Sequence, residues 1–311
     1  MRTVVLGDAG VRVSALCLGC MFFGTRVDER TSMHLLDRYL GAGGTFLDTA
    51  NNYAFWIPGG KGGESETLLG RWMRARGNRE QLFLATKVGG APGEDLSRGA
   101  ILAAVDGSLR RLGTDHIDLY YAHVDHRSVA LEETLGAFDE LVTAGKVGRI
   151  GCSNHAAWRI ERARCISGAR GFARYCCVQQ RHSYVRPRPG TSFGAQLIAD
   201  GELLDFCSAN PDVALLAYSP LLSGAYTVPD RALPAQYAGA DTDARLSALR
   251  QVAHATGASP NQVVLAWLMA ATPHAIPLVA ASTEAQLDEN LGALALRLSA
   301  EQLETLDAAS A

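Results

Sequence analysis

QLFLATKVGG, residues 81–90, puts a lysine at the end of an otherwise apolar run. A continuous run of this kind, closed by glycines, reads as a strand buried on both faces, as in a parallel sheet. Lys87 is the anomaly. The chain has only three lysines, Lys61, Lys87 and Lys146, and every other basic residue is arginine. Burying an ammonium costs several kcal/mol unless something compensates it, so Lys87 needs a carboxylate partner or a chemical task. Outward from it the chain keeps a regular beat. Strand-like runs fall at Ala15–Gly19, Thr45–Asp48, Leu82–Lys87, Ile117–Ala122, Val147–Cys152, Tyr175–Val178, Val213–Ala217 and His274–Pro277. Helix-period segments lie between them: Arg30–Ala42, Ser65–Ala75, Ser97–Leu112, Leu131–Ala144, Ala156–Ile166, Ala244–Thr256 and Gln262–Ala271. Strands alternating with helices argue for βα units, and eight of them predict an α/β fold closed as a (β/α)8 TIM barrel. TVVLGDAGVRVSAL predicts an N-terminal β-hairpin turning at Gly7–Gly10. Glu284–Leu294 and Ser299–Ala308 predict extra C-terminal helices, and residues 1–311 read as a single domain.

Composition narrows the function. With 48% apolar and 20% charged residues the chain can bury a core. A net charge of −3 offers no basic footprint for nucleic acid. The longest strictly apolar run, Val263–Ala271, is about half of a bilayer span. With no apolar stretch of signal length at the start, the chain reads as cytoplasmic. Seven cysteines without framework spacing fit reduced thiols; Cys17 and Cys20, three apart on a strand, point to opposite faces and make no metal site. No Gly-x-Gly-x-x-Gly turn follows the first strand, so a dinucleotide would not be held in the Rossmann manner. In PGGKGGES, residues 58–65, Lys61 is not followed by Ser or Thr, and the segment reads as a flexible loop.

In a parallel barrel the chemistry gathers at the carboxyl ends of the strands. Those ends are Asp48, Lys87, His123, Ser153-Asn154, Gln179 and Tyr218, all polar after apolar runs. Tyr53 lies five residues beyond Asp48. Six polar strand ends around one mouth are an expected site.

These residues meet a known pattern. FLDTANNY (46–53), SETLLG (65–70), LATKVG (84–89), RRLGTDHIDLYYAH (110–123), GKVGRIGCSN (145–154), VQQRHSY (178–184) and AYSPLLSG (217–224) give the chain a resemblance, along nearly its whole length, to the aldo-keto reductases. The resemblance implies a catalytic tetrad of Asp48, Tyr53, Lys87 and His123, with NADPH extended across the strand ends. It implies Ser153, Asn154 and Gln179 around the carboxamide and Tyr218 stacked on the nicotinamide. Met21, Ser219, Leu221 and Gly224 follow along the cofactor. The chemistry is coherent: reduction by hydride needs a proton for the developing alkoxide, Lys87 lowers the pKa of the Tyr53 phenol, Asp48 offsets the lysine charge, and His123 orients the carbonyl. Two departures stand out. The segment 276–290 lacks the Lys or Arg that commonly grips a 2′-phosphate, leaving Ser282, Thr283, Gln286 and Asn290 as ligands with Glu284 opposing, so NADH rivals NADPH. The 54–64 loop is an insertion bringing Phe55 and Trp56 beside the phenol, where with Met21, Phe22 and Phe23 they form an apolar wall for a sizeable substrate.

The reading is thus a reductase of an aldehyde or ketone, a sugar or a natural-product intermediate, with a small-molecule partner and no metal. Three alternatives stand beside it. Lys87 also suits a Schiff-base aldolase. His123, Asp125 and His126 invite a metal, though other strand ends lack ligands for one. The β subunits of potassium channels share the implied fold, so a cofactor-binding regulatory subunit is the third.

Overall fold

The structure is a computed structural model describing residues 1–7, 10–228 and 231–310. Eight parallel strands close the barrel: β3 (Cys17–Gly19), β4 (Phe46–Asp48), β5 (Phe83–Val88), β6 (Ile117–Ala122), β7 (Val147–Ser153), β8 (Tyr175–Arg181), β9 (Ala214–Tyr218) and β10 (Ala275–Val279), with β10 pairing back onto β3. Ahead of them β1 (Thr3–Val5) and β2 (Arg12–Ser14) pair antiparallel. The tight turn expected at Gly7–Gly10 includes Asp8 and Ala9, which lie outside the described residues. Leu6 and Val13 of this hairpin pack with Phe46, Leu119, Cys177 and Ile276, so it plugs the amino end of the barrel.

Each crossover is helical: α1 (Glu29–Gly41), α2 (Glu64–Arg76), α3 (Arg98–Leu112), α4 (Leu131–Thr143), α5 (Ala157–Arg170), α6 (Gly201–Ala209), then α7 (Ala240–Thr256) and α8 (Pro260–Ala270) together between β9 and β10. The extra helices α9 (Glu284–Gly292) and α10 (Ala300–Asp307) follow β10. Side chains of Asp28, Ser97, Asp200, Ser259 and Thr283 accept from the backbone N–H three residues on, fixing where helices begin. α6 has no counterpart among the expected helices; its nine residues are too few for a clear 3.6-residue period, and only its Asp200 cap announces it. β8 runs three residues past the expected Val178, because Gln179, Gln180 and Arg181 keep their ladder pairing to β9 although they are polar. Among the described residues no helix is long and apolar enough to cross a membrane.

The period of two along a strand places the site. Phe46, Ala85, Tyr121, Cys177 and Leu216 fill the barrel interior. Two residues further on, each row ends in Asp48, Lys87, His123, Gln179 and Tyr218. Gly151 makes room on the same row, since a Cβ there would lie 2.9 Å from the Tyr121 ring.

Candidate active site

The barrel mouth brings the four expected tetrad residues together. The Lys87 ammonium donates to Asp48 Oδ1, to the Thr49 carbonyl oxygen at 2.7 Å and to the Tyr53 hydroxyl at 2.8 Å. Its three N–H groups are therefore all used, as a protonated lysine requires. Asp48 and Lys87 are wholly buried. Tyr53 is delivered by the loop after β4, whose Asn51 N–H donates to the Lys87 carbonyl oxygen, tying that loop to β5. The His123 ring meets the Tyr53 ring edge-on, centroids 5.9 Å apart.

Electrostatics correct one expectation. Burial, then the Asp48 carboxylate, push the Tyr53 phenol well above the usual tyrosine range. Burial and the Asp48 charge together set that direction, opposite to the expected one. Burial and the Lys87 charge push His123 down to about 3, so its imidazole is neutral at pH 7. His123 Nδ1 is buried without a partner. Gly90 lies against it: a Cβ at that position would come 2.3 Å from His123 Nδ1.

The residues expected around the cofactor are gathered at the same face. Ser153 donates to the Gln179 carbonyl oxygen at 2.7 Å, and the Gln179 amide donates to Asp48 Oδ2 at 2.8 Å. Asn154 has a filled valence. Its amide nitrogen donates to the His123 carbonyl oxygen and to Ser153 Oγ, while its oxygen accepts from Leu197 N–H and from the Tyr218 hydroxyl. It thereby braces the loops around the face where the resemblance places the carboxamide. Tyr218 is half-buried, and the Arg181 guanidinium lies 5.6 Å from its ring centroid. Met21 and Phe22 sit half-exposed, but Phe23 is buried in the core and cannot serve the apolar wall. Phe55 and Trp56 pack edge to face at 5.1 Å, with Trp56 44% exposed.

Backbone strain tests whether a dinucleotide suits this face. The non-glycine residues with positive φ, among those described, are Ala54, Asn154, Ser219, Leu222 and Ser223, every one on a loop at the carboxyl ends of the strands. Strain of this kind persists where surrounding structure over-determines it, and it collects at ligand sites. Ser219, Leu222 and Ser223 border a cavity of about 280 Å³ with Arg181 and Phe193. Leu221 and Gly224 belong to the same turn, where Gly224 N–H donates to the Leu221 carbonyl oxygen. Hydroxyls and a guanidinium around such a turn suit a diphosphate; Arg181 was not anticipated, because its neighbours in sequence give no sign of the cavity. A larger open cleft, about 1050 Å³, lies at the opposite end of the barrel among Arg79, His116 and Lys146, and takes no part in this chemistry.

At the far end of the expected cofactor path, Ser282 donates to Gln286 from both N–H and hydroxyl, and Thr283 caps α9. Asn290 is buried and donates to the Ala280 carbonyl oxygen. Positive charge does reach this segment, from α1: Arg38 pairs with Asp288 at 2.5 Å, and beside it the His34 ring contacts Glu284 at 2.9 Å. No local reading of residues 276–290 reveals a cation supplied about 250 residues earlier in the chain.

Asp125 pairs with Arg159, and His126 bonds the Gly89 carbonyl oxygen, so both are engaged in holding loops.

A closed barrel whose mouth joins a buried lysine–aspartate pair to a phenol and a neutral imidazole brings a proton donor and a hydrogen-bond donor to one face. A model of the aldo/keto reductase family matches residues 15–311, and the chain belongs to that family. It is similar to norsolorinic acid reductase stcV of Emericella nidulans, 32% identical over 95% of this chain and 78% of the relative. Similar too is the uncharacterized oxidoreductase YrpG of Bacillus subtilis, 32% identical over 99% of this chain and 95% of the relative. The solved structure of the thermostable aldo-keto reductase Tm1743, in complex with the inhibitor epalrestat, superposes with a TM-score of 0.80 at 30% identity, covering all of both chains. The protein is an NAD(P)H-dependent reductase of carbonyl compounds.

Proposed function

We propose that this protein is an NADPH-dependent reductase turning an aldehyde or ketone into an alcohol, with Tyr53 as proton donor. The observation that carries the reading is the Lys87 ammonium donating at once to Asp48, to Thr49 O and to the Tyr53 hydroxyl. When bound, the reduced nicotinamide supplies a hydride to the carbonyl carbon. The carbonyl oxygen takes its proton from the Tyr53 hydroxyl, and the phenolate so formed, held by the Lys87 N–H, regains a proton from water. A neutral His123 donates a hydrogen bond to the same oxygen and steadies the charge growing on it. Burial keeps the phenol in its protonated form, and the alkoxide formed by hydride addition is the stronger base.

Ser153 and Gln179 are proposed for the carboxamide with Asn154 bracing them, Met21 and Tyr218 for the nicotinamide, and Ser219, Leu221 and Gly224 for the diphosphate. Ser282, Gln286 and Asn290 are proposed for the adenosine end, Asn290 acting through the turn it holds. NADPH is the proposed dinucleotide, and the acids Glu284 and Asp288 around Arg38 make its advantage over NADH a small one. Phe22, Phe55 and Trp56 are proposed to face a bulky carbonyl compound, a natural-product intermediate in preference to a small sugar; the relative named for reduction of norsolorinic acid supports this. Residues 1–311 are taken as one functional unit.

The Schiff-base alternative fares worse on geometry. A nucleophilic amine needs a free lone pair, and three acceptors surround this one. Mixing the protein with NADPH and a panel of aromatic ketones, aliphatic aldehydes and sugars, then following the cofactor absorbance, tests the proposal. Oxidation of the cofactor dependent on the carbonyl compound supports it. Covalent trapping of substrate on Lys87 by borohydride would favour the aldolase, and cofactor binding with no turnover across the panel would favour the regulatory subunit.

A further inference from the structure

We propose that Glu94 is a positioning residue for the proton-donating side of the site, one carboxylate that locks the Tyr53 loop to the turn packed under His123. The proposal rests on the reading of Tyr53 and His123 given above. Glu94 Oε2 accepts from three successive backbone N–H groups, Gly89 at 3.1 Å, Gly90 at 3.2 Å and Ala91 at 3.1 Å. Glu94 Oε1 accepts from the Asn51 side-chain amide at 2.7 Å. Consecutive N–H groups aimed at one point form a nest for an anion, opened here by Gly89 with φ +84°, and hydrogen bonds to a carboxylate are about twice as strong as neutral ones.

What the carboxylate joins gives it a consequence. Gly89 follows Lys87 by two residues on leaving β5. Gly90 abuts His123 Nδ1 with no space for even a Cβ, so a displaced Gly90 backbone moves the imidazole. Asn51 precedes Tyr53 by two residues, and its N–H holds the Lys87 carbonyl oxygen at 3.2 Å. His126 Nε2 fixes the Gly89 carbonyl oxygen from the other side at 2.7 Å. One side chain, its carboxylate spent on protein partners, therefore registers the loops that carry Lys87, His123 and Tyr53 against each other.

The test uses Glu94→Ala, Glu94→Gln, Asn51→Asp and the double variant Asn51→Asp with Glu94→Gln. Losing the registration displaces reacting groups by a fraction of an ångström or more, for which a fall in kcat of roughly 10–100-fold is expected in Glu94→Ala. The cofactor Kd and carbonyl KM stay within about twofold, since no binding contact is removed. Glu94→Gln keeps an acceptor for the nest and retains kcat. Asn51→Asp sets two carboxylates face to face and lowers kcat. The double variant exchanges amide and carboxylate between the two positions, so that one again donates to the other, and restores it. Amide exchange of the ligand-free proteins adds a readout independent of turnover: Gly90 and Ala91 lose protection in Glu94→Ala and keep it in Glu94→Gln. Should Glu94→Ala fail to fold, Asn51→Asp and the double variant carry the test. Full kcat in Glu94→Ala, or no recovery in the double variant, overturns the role of Glu94. A wild-type protein that reduces no carbonyl compound overturns the reading beneath it.

Discussion

Gln179 reaches across the barrel mouth and donates its amide to Asp48 Oδ2 at 2.8 Å. The carboxylate is thereby held at both oxygens, by Lys87 on one and Gln179 on the other, and a residue assigned by resemblance to the cofactor belongs to the tetrad as well.

Removing that amide tests the double role. In Gln179→Leu the wholly buried Asp48 oxygen loses its donor, which should lower the stability of the cofactor-free protein by about 1–3 kcal/mol. Urea unfolding without dinucleotide measures it. Unchanged stability would mean that Gln179 serves the cofactor alone.

The ion pair beneath the phenol makes a larger effect. Lys87→Met leaves Asp48 as an uncompensated buried charge, and breaking such a pair costs about 3–5 kcal/mol. The double variant Lys87→Met with Asp48→Asn carries no stranded charge and should recover most of that loss while staying inactive. A double-mutant cycle by chemical denaturation checks the coupling; additive losses would contradict it.

Acid should destabilise the fold through histidines that burial holds below their ordinary range, His123, His155, His182 and His274. Burial holds His123 down to about 3 and His182 down to about 4, against an ordinary 6.5. The unfolded chain then binds more protons than the folded one between those values, so stability falls as pH drops from about 6.5 toward 4 and is untouched by these groups above neutrality. Melting temperature against pH should show this slope, and His182→Asn should flatten it. An equal slope in the variant would show His182 to be no contributor.

Much of this was legible in the chain, for identifiable reasons. Asp48, Lys87, His123, Gln179 and Tyr218 announce themselves because a period of two carries a polar residue to the end of an apolar strand, and the eightfold beat needs only hydrophobic pattern. The bracing role of Asn154 was not legible, since sequence names an amide without telling how many of its four hydrogen bonds the fold fills. The direction of the Tyr53 shift was hidden too: it depends on how thoroughly water is excluded and how near the Asp48 carboxylate lies, which are properties of the packed barrel. Arg38 reaches the start of the last helices only because α1 lies beside α9.

That last pairing bears on the proposed cofactor preference. Glu284 and Asp288 together outweigh Arg38 around the α9 N-terminus, so the excess negative charge should keep NADPH only slightly ahead of NADH. Glu284→Gln removes one acid and should raise the ratio of kcat/KM for NADPH over NADH by roughly 3- to 10-fold, about 1 kcal/mol. Parallel steady-state kinetics with both dinucleotides decides it, and a ratio unmoved by the substitution would place the phosphate elsewhere.

Proton delivery by the phenol is measured most directly in Tyr53→Phe, with cofactor binding followed by protein fluorescence and turnover by cofactor absorbance on the same sample. The expected result is an unchanged dinucleotide Kd with carbonyl reduction slowed about 10²–10⁴-fold. Turnover within a few-fold of wild type would mean that another group hands over the proton.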